Sequence, residues 1–183
     1  MYEVELKVAA DHDRVRARLD ELGADSLGGV VQIDTYYDAP HRDFAETDEA
    51  FRLREERTDD GTTTRMTYKG PLVEADSKTR EEFETAVGDG DTAADIVESL
   101  GFSPAATVRK DRQRYALDGF VVTLDDVESV GQFLEVETDV ETESEVAAAR
   151  EDAIDLLERL GCDPSERTNR SYLGMALAGD TQQ

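Results

Sequence analysis

Residues 3–7 read EVELK, inside an opening run MYEVELKVAA whose alternation is strict. Along an extended segment Glu3, Glu5 and Lys7 point one way, and Val4, Leu6 and Val8 the other. If the apolar set packs on a core, the charged set either faces water or lines an interior. Which of the two holds decides the fold, and the rest of the chain bears on it.

The chain has 183 residues, enough for one domain with a sizeable core. It carries 20 Lys+Arg against 44 Asp+Glu, a formal net charge of -24. Such a charge repels nucleic acid and anionic membranes, so neither is an expected partner. Apolar residues nevertheless recur with clear periodicity, which separates the chain from an acidic disordered tail. An acidic coat of this kind suits a salt-rich cytoplasm, where screening makes a high charge tolerable. Lysine is scarce (Lys7, Lys69, Lys78 and Lys110), and the other basic residues are arginine. Cys162 is the one cysteine, so no intrachain disulfide can form. With no charged-then-apolar leader and no bilayer-length apolar run, the expectation is a soluble cytoplasmic protein.

Working outward from EVELK, residues 11–22 (DHDRVRARLDEL) place Val15, Leu19 and Leu22 at helical spacing, with Asp11 as N-cap and Gly23 as the stop. Strands are predicted over 27–38, 50–57, 62–69 and 79–87, with DDG at 59–61 as a hairpin turn. A helix follows over 91–100, capped by the GDGDT segment rather than forming a phosphate loop, because it lacks the GK[ST] ending. Three more strands are predicted at 105–117, 119–126 and 132–139, then a long helix over 143–160 and a short one near SYLGMALA. Hairpin-linked strands with helices before, between and after them predict an α+β domain, a closed or nearly closed barrel flanked by helices. No repeat, low-complexity tract or linker divides residues 1–183, so a single domain is expected.

The EVELK alternation recurs along these strands. Arg52 and Arg54 alternate with Phe51 and Leu53, and Thr67 and Lys69 with Met66 and Tyr68. Arg80, Glu82 and Glu84 share a face, as do Lys110, Arg112 and Arg114, and as do Glu135 and Glu137; Asp125 faces away from Leu124. Together with Glu3, Glu5 and Lys7 these positions hold eight bases and seven acids, whereas the rest of the chain holds 12 bases against 37 acids. Ordinary surface in this protein would be as acidic as the remainder. The charged faces are therefore expected to line an interior, with the apolar faces outside and covered by helices. Desolvated ions are costly, so the charges either pair fully with one another or hold water and a ligand. Clustered bases beside clustered carboxylates suit a polyanion with divalent metal ions, and a nucleoside or inorganic triphosphate fits best.

The ExExK start resembles the signature of the CYTH superfamily, the triphosphate tunnel metalloenzymes. The likeness continues in family order through TYYD (35–38), FRLR (51–54), TYKG (67–70), REEFE (80–84), VRKDRQRY (108–115), LDDVESVGQFLEVE (124–137) and SYLGM (171–175). It implies an eight-stranded antiparallel β-barrel, the tunnel, flanked by helices. It also implies Mg²⁺ or Mn²⁺ held by Glu3, Glu5, Glu135 and Glu137, with Asp125, Glu82 and Glu84 as further members. Lys7, Arg52, Arg54, Lys69, Lys110, Arg112 and Arg114 become the triphosphate-binding set, of which Lys7, Lys110 and Arg112 are assigned to catalysis, while Arg80 is more apt to pair with its neighbouring glutamates. Arginine supplies bidentate forks and lysine a point charge. The resemblance favours a homodimer.

SYLGM and the 124–137 segment resemble the class IV adenylyl cyclase-like branch, which implies ATP conversion to cyclic AMP and pyrophosphate. The alternative is hydrolysis of an inorganic, thiamine or nucleoside triphosphate in the same tunnel. A third reading is a nucleotide or polyphosphate binding module without turnover, against which the many carboxylates argue. His12 and His41, the two histidines, lack the partners of a nucleophilic triad and are expected at the surface. Tyr36, Tyr37 and Tyr115 could touch a base, although ordinary strand packing fits them better, and Tyr172 and Leu173 are expected to anchor the last helix.

Overall fold

The computed structural model of the chain describes residues 2–71 and 81–180; for Tyr2, Glu3, Glu143 and Asp180 it describes the backbone. The elements are β1 (Tyr2–Ala9), α1 (His12–Leu22), β2 (Asp25–Asp38), α2 (Phe44–Thr47), β3 (Ala50–Thr58), β4 (Gly61–Lys69), β5 (Glu82–Val87), α3 (Gly90–Ser99), β6 (Ser103–Leu117), β7 (Phe120–Val127), β8 (Gly131–Val140), α4 (Glu143–Arg159) and α5 (Tyr172–Asp180). A single 3₁₀ turn, Pro164–Glu166, precedes α5.

The eight strands form one sheet in the order β1-β8-β7-β6-β2-β3-β4-β5. Every predicted strand and helix is present, with ends shifted by a residue or two apart from the start of the fifth strand, which begins at Glu82. Residues 79 and 80 of the predicted fifth strand, Arg80 included, lie outside the described residues. The ladders end at β1 and β5, and none joins these two strands among the described residues. Helix α2 and the 3₁₀ turn were not anticipated. At four and three residues they are too short to show periodicity, although each starts on an aspartate N-cap, Asp43 and Asp163. No described helix is long and apolar enough to cross a membrane.

The chain divides into two compact units, residues 1–30 with 110–183 and residues 31–109. In the first, Val8, Leu124, Leu134 and Val136 on one face of the strands pack with Val15 and Leu19 of α1 and with Ala153, Leu156, Leu157 and Leu160 at α4. This is the apolar half of the alternation read from MYEVELKVAA. Helix α1 is held at its start by the Asp11 carboxylate, which accepts from the amides of Asp13 and Arg14, and stopped by Gly23 in the left-handed region. His12 corrects the expectation of a surface position. It is 3 % exposed, and its Nε2 lies 3.0 Å from the carbonyl oxygen of Phe133. The reason is its place one residue after the cap, where the helix turns inward onto β8.

Asp118 and Gly119, both at positive φ, make the two-residue turn that joins β6 to β7 with Leu117 opposite Phe120. In the second unit Tyr37, Leu53, Ala93 and Val97 form a separate small core with Phe51, Met66, Val87 and Phe102 around it. Helix α3 is capped there by Asp89, whose carboxylate accepts from the Thr92 amide, as the GDGDT reading expected.

Candidate active site

In the first unit the ladder register stacks the charged positions into rows. Glu5 lies opposite Glu137, which lies opposite Val121. Lys7 lies opposite Glu135, then Thr123, then Arg114. Ala9 lies opposite Phe133, then Asp125, then Arg112, with Lys110 one row further. Because side chains alternate, this odd-numbered set of β1, β7 and β8 shares the face opposite the apolar core. That face is covered and not solvated: Lys7 is 7 %, Lys110 5 %, Glu135 3 %, and Thr123 and Asp125 0 % exposed. Charged residues are rarely this buried unless paired.

Here the pairing is extensive. Lys7 Nζ sits 3.1 Å from Glu135 Oε1 and 3.8 Å from Glu5 Oε1. Arg112 donates to the other Glu135 oxygen at 2.7 Å and forks onto both oxygens of Asp125 at 2.7 and 2.6 Å. The hydroxyl of Tyr172, from α5, donates to Asp125 Oδ2 at 3.0 Å. Burial by itself would raise the Asp125 carboxyl, but the Arg112 hydrogen bonds and charge, with Lys110 and Tyr172, hold it below the usual carboxylate range. Burial would likewise lower Arg112, and the hydrogen bonds and charge of Asp125, with Glu135, push it up instead. The Tyr172 phenol is raised, first by burial and then by the charges of Glu135 and Asp125.

Ligand oxygens of Glu5, Glu135 and Glu137 all lie within 4.8 Å of one another. Three carboxylates so close, one exposed, one buried and one half-buried, are a hard oxygen donor set of the kind that Mg²⁺ and Mn²⁺ take. Asp125, which accepts from Arg112 and Tyr172, is not one of that trio, but Arg112 bridges it to Glu135. Glu3 is placed on β1 opposite Asp139. Arg114 is exposed, while Thr123 Oγ1, on the same row, is buried and finds no partner among the described residues.

The second unit has its own charged face on β2, β3, β4 and β5. Asp34, 2 % exposed, receives Arg54 in a fork at 2.6 and 2.7 Å and Arg52 more loosely at 3.4 Å. Arg52 NH1 also reaches the Tyr36 hydroxyl at 3.4 Å, and its buried Nε has no partner among the described residues. Burial and the Asp34 charge raise the Tyr36 phenol. Thr67, fully buried, donates to Glu84 at 2.9 Å, and Arg65 to the same carboxylate at 3.0 Å. Burial opposes these bonds, yet they hold Glu84 below its ordinary value. Lys69 pairs with Glu82 at 2.8 Å. Glu49 is also buried; Thr47 and Tyr68 donate to it and Arg42 lies 3.0 Å away.

Lys7, Lys110, Arg112, Asp125 and Glu135 are thus together on one buried face, with Glu5 and Glu137 at its end and Arg114 at its exposed edge. Arg52, Arg54, Lys69, Glu82 and Glu84 belong to the second unit's face, where Glu82 and Glu84 are exposed. Sequence reasoning gives no site role to Asp34, Thr67, Thr123 or Tyr172, although it sets Thr67 on the charged face and makes Tyr172 an anchor of the last helix. Asp34 and Tyr36 alternate with Ile33 and Thr35 within IDTYYD (33–38), so the strand period could have found Asp34. Tyr172 sits on a helix, and no strand pattern points to it.

The family profile described as the CYTH domain matches residues 1–172. A Methanocaldococcus jannaschii protein provisionally named an adenylate cyclase, MJ0240, is 37% identical over 174 residues, covering 94% of this chain and 97% of its own. The adenylate cyclase CyaB of Aeromonas hydrophila is 29% identical over 173 residues, 93% of this chain and 86% of its own. Among solved structures, the PH1819 protein of Pyrococcus horikoshii superposes with a TM-score of 0.85 at 37% identity, covering 97% of this chain and 99% of its own. A Hippeastrum protein, HpAC1, named for a dominant triphosphatase activity, shares the fold at a TM-score of 0.67 and 18% identity, over 97% of this chain and 95% of its own.

Proposed function

Because the chain belongs to the CYTH domain family, we propose that it is a metal-dependent enzyme acting on a triphosphate, a class IV adenylyl cyclase-like protein that converts ATP to cyclic AMP and pyrophosphate. The observation that carries this reading is a strand face on which Lys7, Lys110, Asp125 and Glu135 are buried and Arg112 half-buried, beside the Glu5, Glu135 and Glu137 carboxylates. A face that held only mutual ion pairs would be no more stable than an apolar one of the same shape. On the first unit's face the Thr123 hydroxyl, which finds no partner among the described residues, supports a polar occupant.

In this reading Lys7, Arg52, Arg54, Lys69, Lys110, Arg112 and Arg114 bind the triphosphate. Lys7, Lys110 and Arg112 lie nearest the reacting phosphates and offset the negative charge that grows on the leaving pyrophosphate. The arginines orient phosphoryl oxygens by paired donors, and the burial of the face keeps competing water out. Glu5, Glu135 and Glu137, with Glu3, Glu82, Glu84 and Asp125 as further members, would hold Mg²⁺ or Mn²⁺. When bound, a divalent ion supplies charge neutralisation for the attacking and leaving oxygens. In cyclisation the ribose 3′-oxygen bonds to the α-phosphorus as its proton leaves, and the bond to the pyrophosphate oxygen breaks. Hydrolysis, with water as nucleophile, is the second reading, favoured by the triphosphatase named among the neighbours of like fold. The acid-rich composition supports a salt-rich cytoplasm as the setting, and we take the working form to be a homodimer.

Product analysis in high salt tests this. ATP, thiamine triphosphate and inorganic triphosphate are offered in parallel with Mg²⁺ or Mn²⁺. Cyclic AMP with equimolar pyrophosphate is the expected result. Orthophosphate alone would move the chain to the triphosphatases, and binding without turnover would make it a binding module.

A further inference from the structure

Tyr172 opens α5 and is 8 % exposed. Its ring edge packs on Phe133 at 5.2 Å between centroids, and its hydroxyl reaches Asp125. The same ring has two ammonium groups against it, Lys7 Nζ at 4.1 Å and Lys110 Nζ at 5.1 Å from the centroid. The two ammonium groups carry like charge, and in a buried setting their repulsion is poorly screened. An aromatic face attracts each of them, and does so more strongly when water is excluded. Lysine carries its charge on a flexible four-carbon stem, so what it touches fixes where the charge sits. Glu135 holds Lys7 from one side, and the ring contacts both lysines.

We infer that Tyr172 is a positioning residue whose ring sets the spacing of Lys7 and Lys110, so that the two ammonium groups meet neighbouring phosphoryl groups as a preformed pair. The inference rests on the triphosphate reading for its ligand but not for its geometry. A purely packing role would be filled equally well by leucine, which keeps the apolar burial and loses the aromatic face. The hydroxyl is secondary: Asp125 keeps its Arg112 fork without it.

The test compares wild type with Tyr172→Phe, Tyr172→Leu and Tyr172→Met by two readouts. The first is the rate at which each lysine is labelled by an amine reagent, read by mass spectrometry; Lys69, paired with Glu82 in the second unit, is the internal reference. The second is the affinity for inorganic triphosphate with Mg²⁺, by calorimetry. Tyr172→Phe should match wild type within about threefold in both, whereas the Leu and Met variants should label Lys7 and Lys110 about fivefold faster and bind triphosphate about tenfold more weakly, with Lys69 unchanged. Mn²⁺ binding without triphosphate should stay the same in all four. Unchanged triphosphate affinity in a folded Leu or Met variant would overturn the inference, as would a Phe variant that falls with them, which would hand the role to the hydroxyl. If wild type binds no triphosphate, the functional reading fails, and the labelling rates alone judge the ring.

Discussion

Arg52 and Arg54 stand two positions apart on one face of β3, yet their surroundings differ. Arg54 forks onto the buried Asp34 carboxylate, whereas Arg52 reaches it only at 3.4 Å, and its Nε has no partner among the described residues. Arg52→Ala should therefore weaken triphosphate binding about tenfold with little loss of stability, while Arg54→Ala should cost about 3 kcal/mol of stability by stranding Asp34. Calorimetry and urea unfolding on both variants check this, and equal behaviour would refute it. Glu137 is the half-buried member of the carboxylate trio, so Glu137→Gln should abolish metal-dependent turnover while the melting temperature stays near wild type. Turnover at wild-type rates would remove it from the metal set. Asp125 makes a pH prediction. Its folded pKa lies below that of the unfolded chain, about 3.9. A carboxyl lowered in this way contributes stability that is complete above the unfolded value and is lost as pH falls through the folded one. In metal-free protein Asp125→Asn should be less stable than wild type at pH 7, and the gap should narrow below about pH 4. A gap that is constant from pH 7 to pH 3 would show that Asp125 does not titrate in this way.

At the scale of elements, helix ends were legible because capping is local chemistry. Asp11, Asp89 and Gly23 act where the sequence placed them. Replacing Asp11 by Ala leaves the Asp13 and Arg14 amides without their acceptor and should cost about 1 kcal/mol, read by urea unfolding. A loss below a few tenths would mean that water serves those amides as well. The two-residue turn at Asp118-Gly119 is local chemistry of the same kind: both residues tolerate positive φ. What local pattern missed was α2 and the 3₁₀ turn, and the inward placement of His12, which depends on β8 lying beneath the start of α1.

For the whole molecule the net charge of -24 sets the behaviour in solution. Self-repulsion opposes compaction, and salt shortens its range from about 10 Å at 0.1 M to about 3 Å at 1 M. The melting temperature should therefore rise between 0.1 M and 2 M KCl, and a fall would refute the salt-adapted reading. The sequence by itself determined the strands, their two faces and the contrast between a nearly neutral charged set and an acidic remainder. It could do so because side-chain direction in a strand has period two and needs no knowledge of the partner strand. Only the tertiary structure decided which charges meet. Register sets Lys7 opposite Glu135 and Arg112 opposite Asp125, and helix α5 brings Tyr172 onto the same face from far along the chain. Those pairings depend on ladders and packing between distant segments, where distance along the chain carries no information about distance in space.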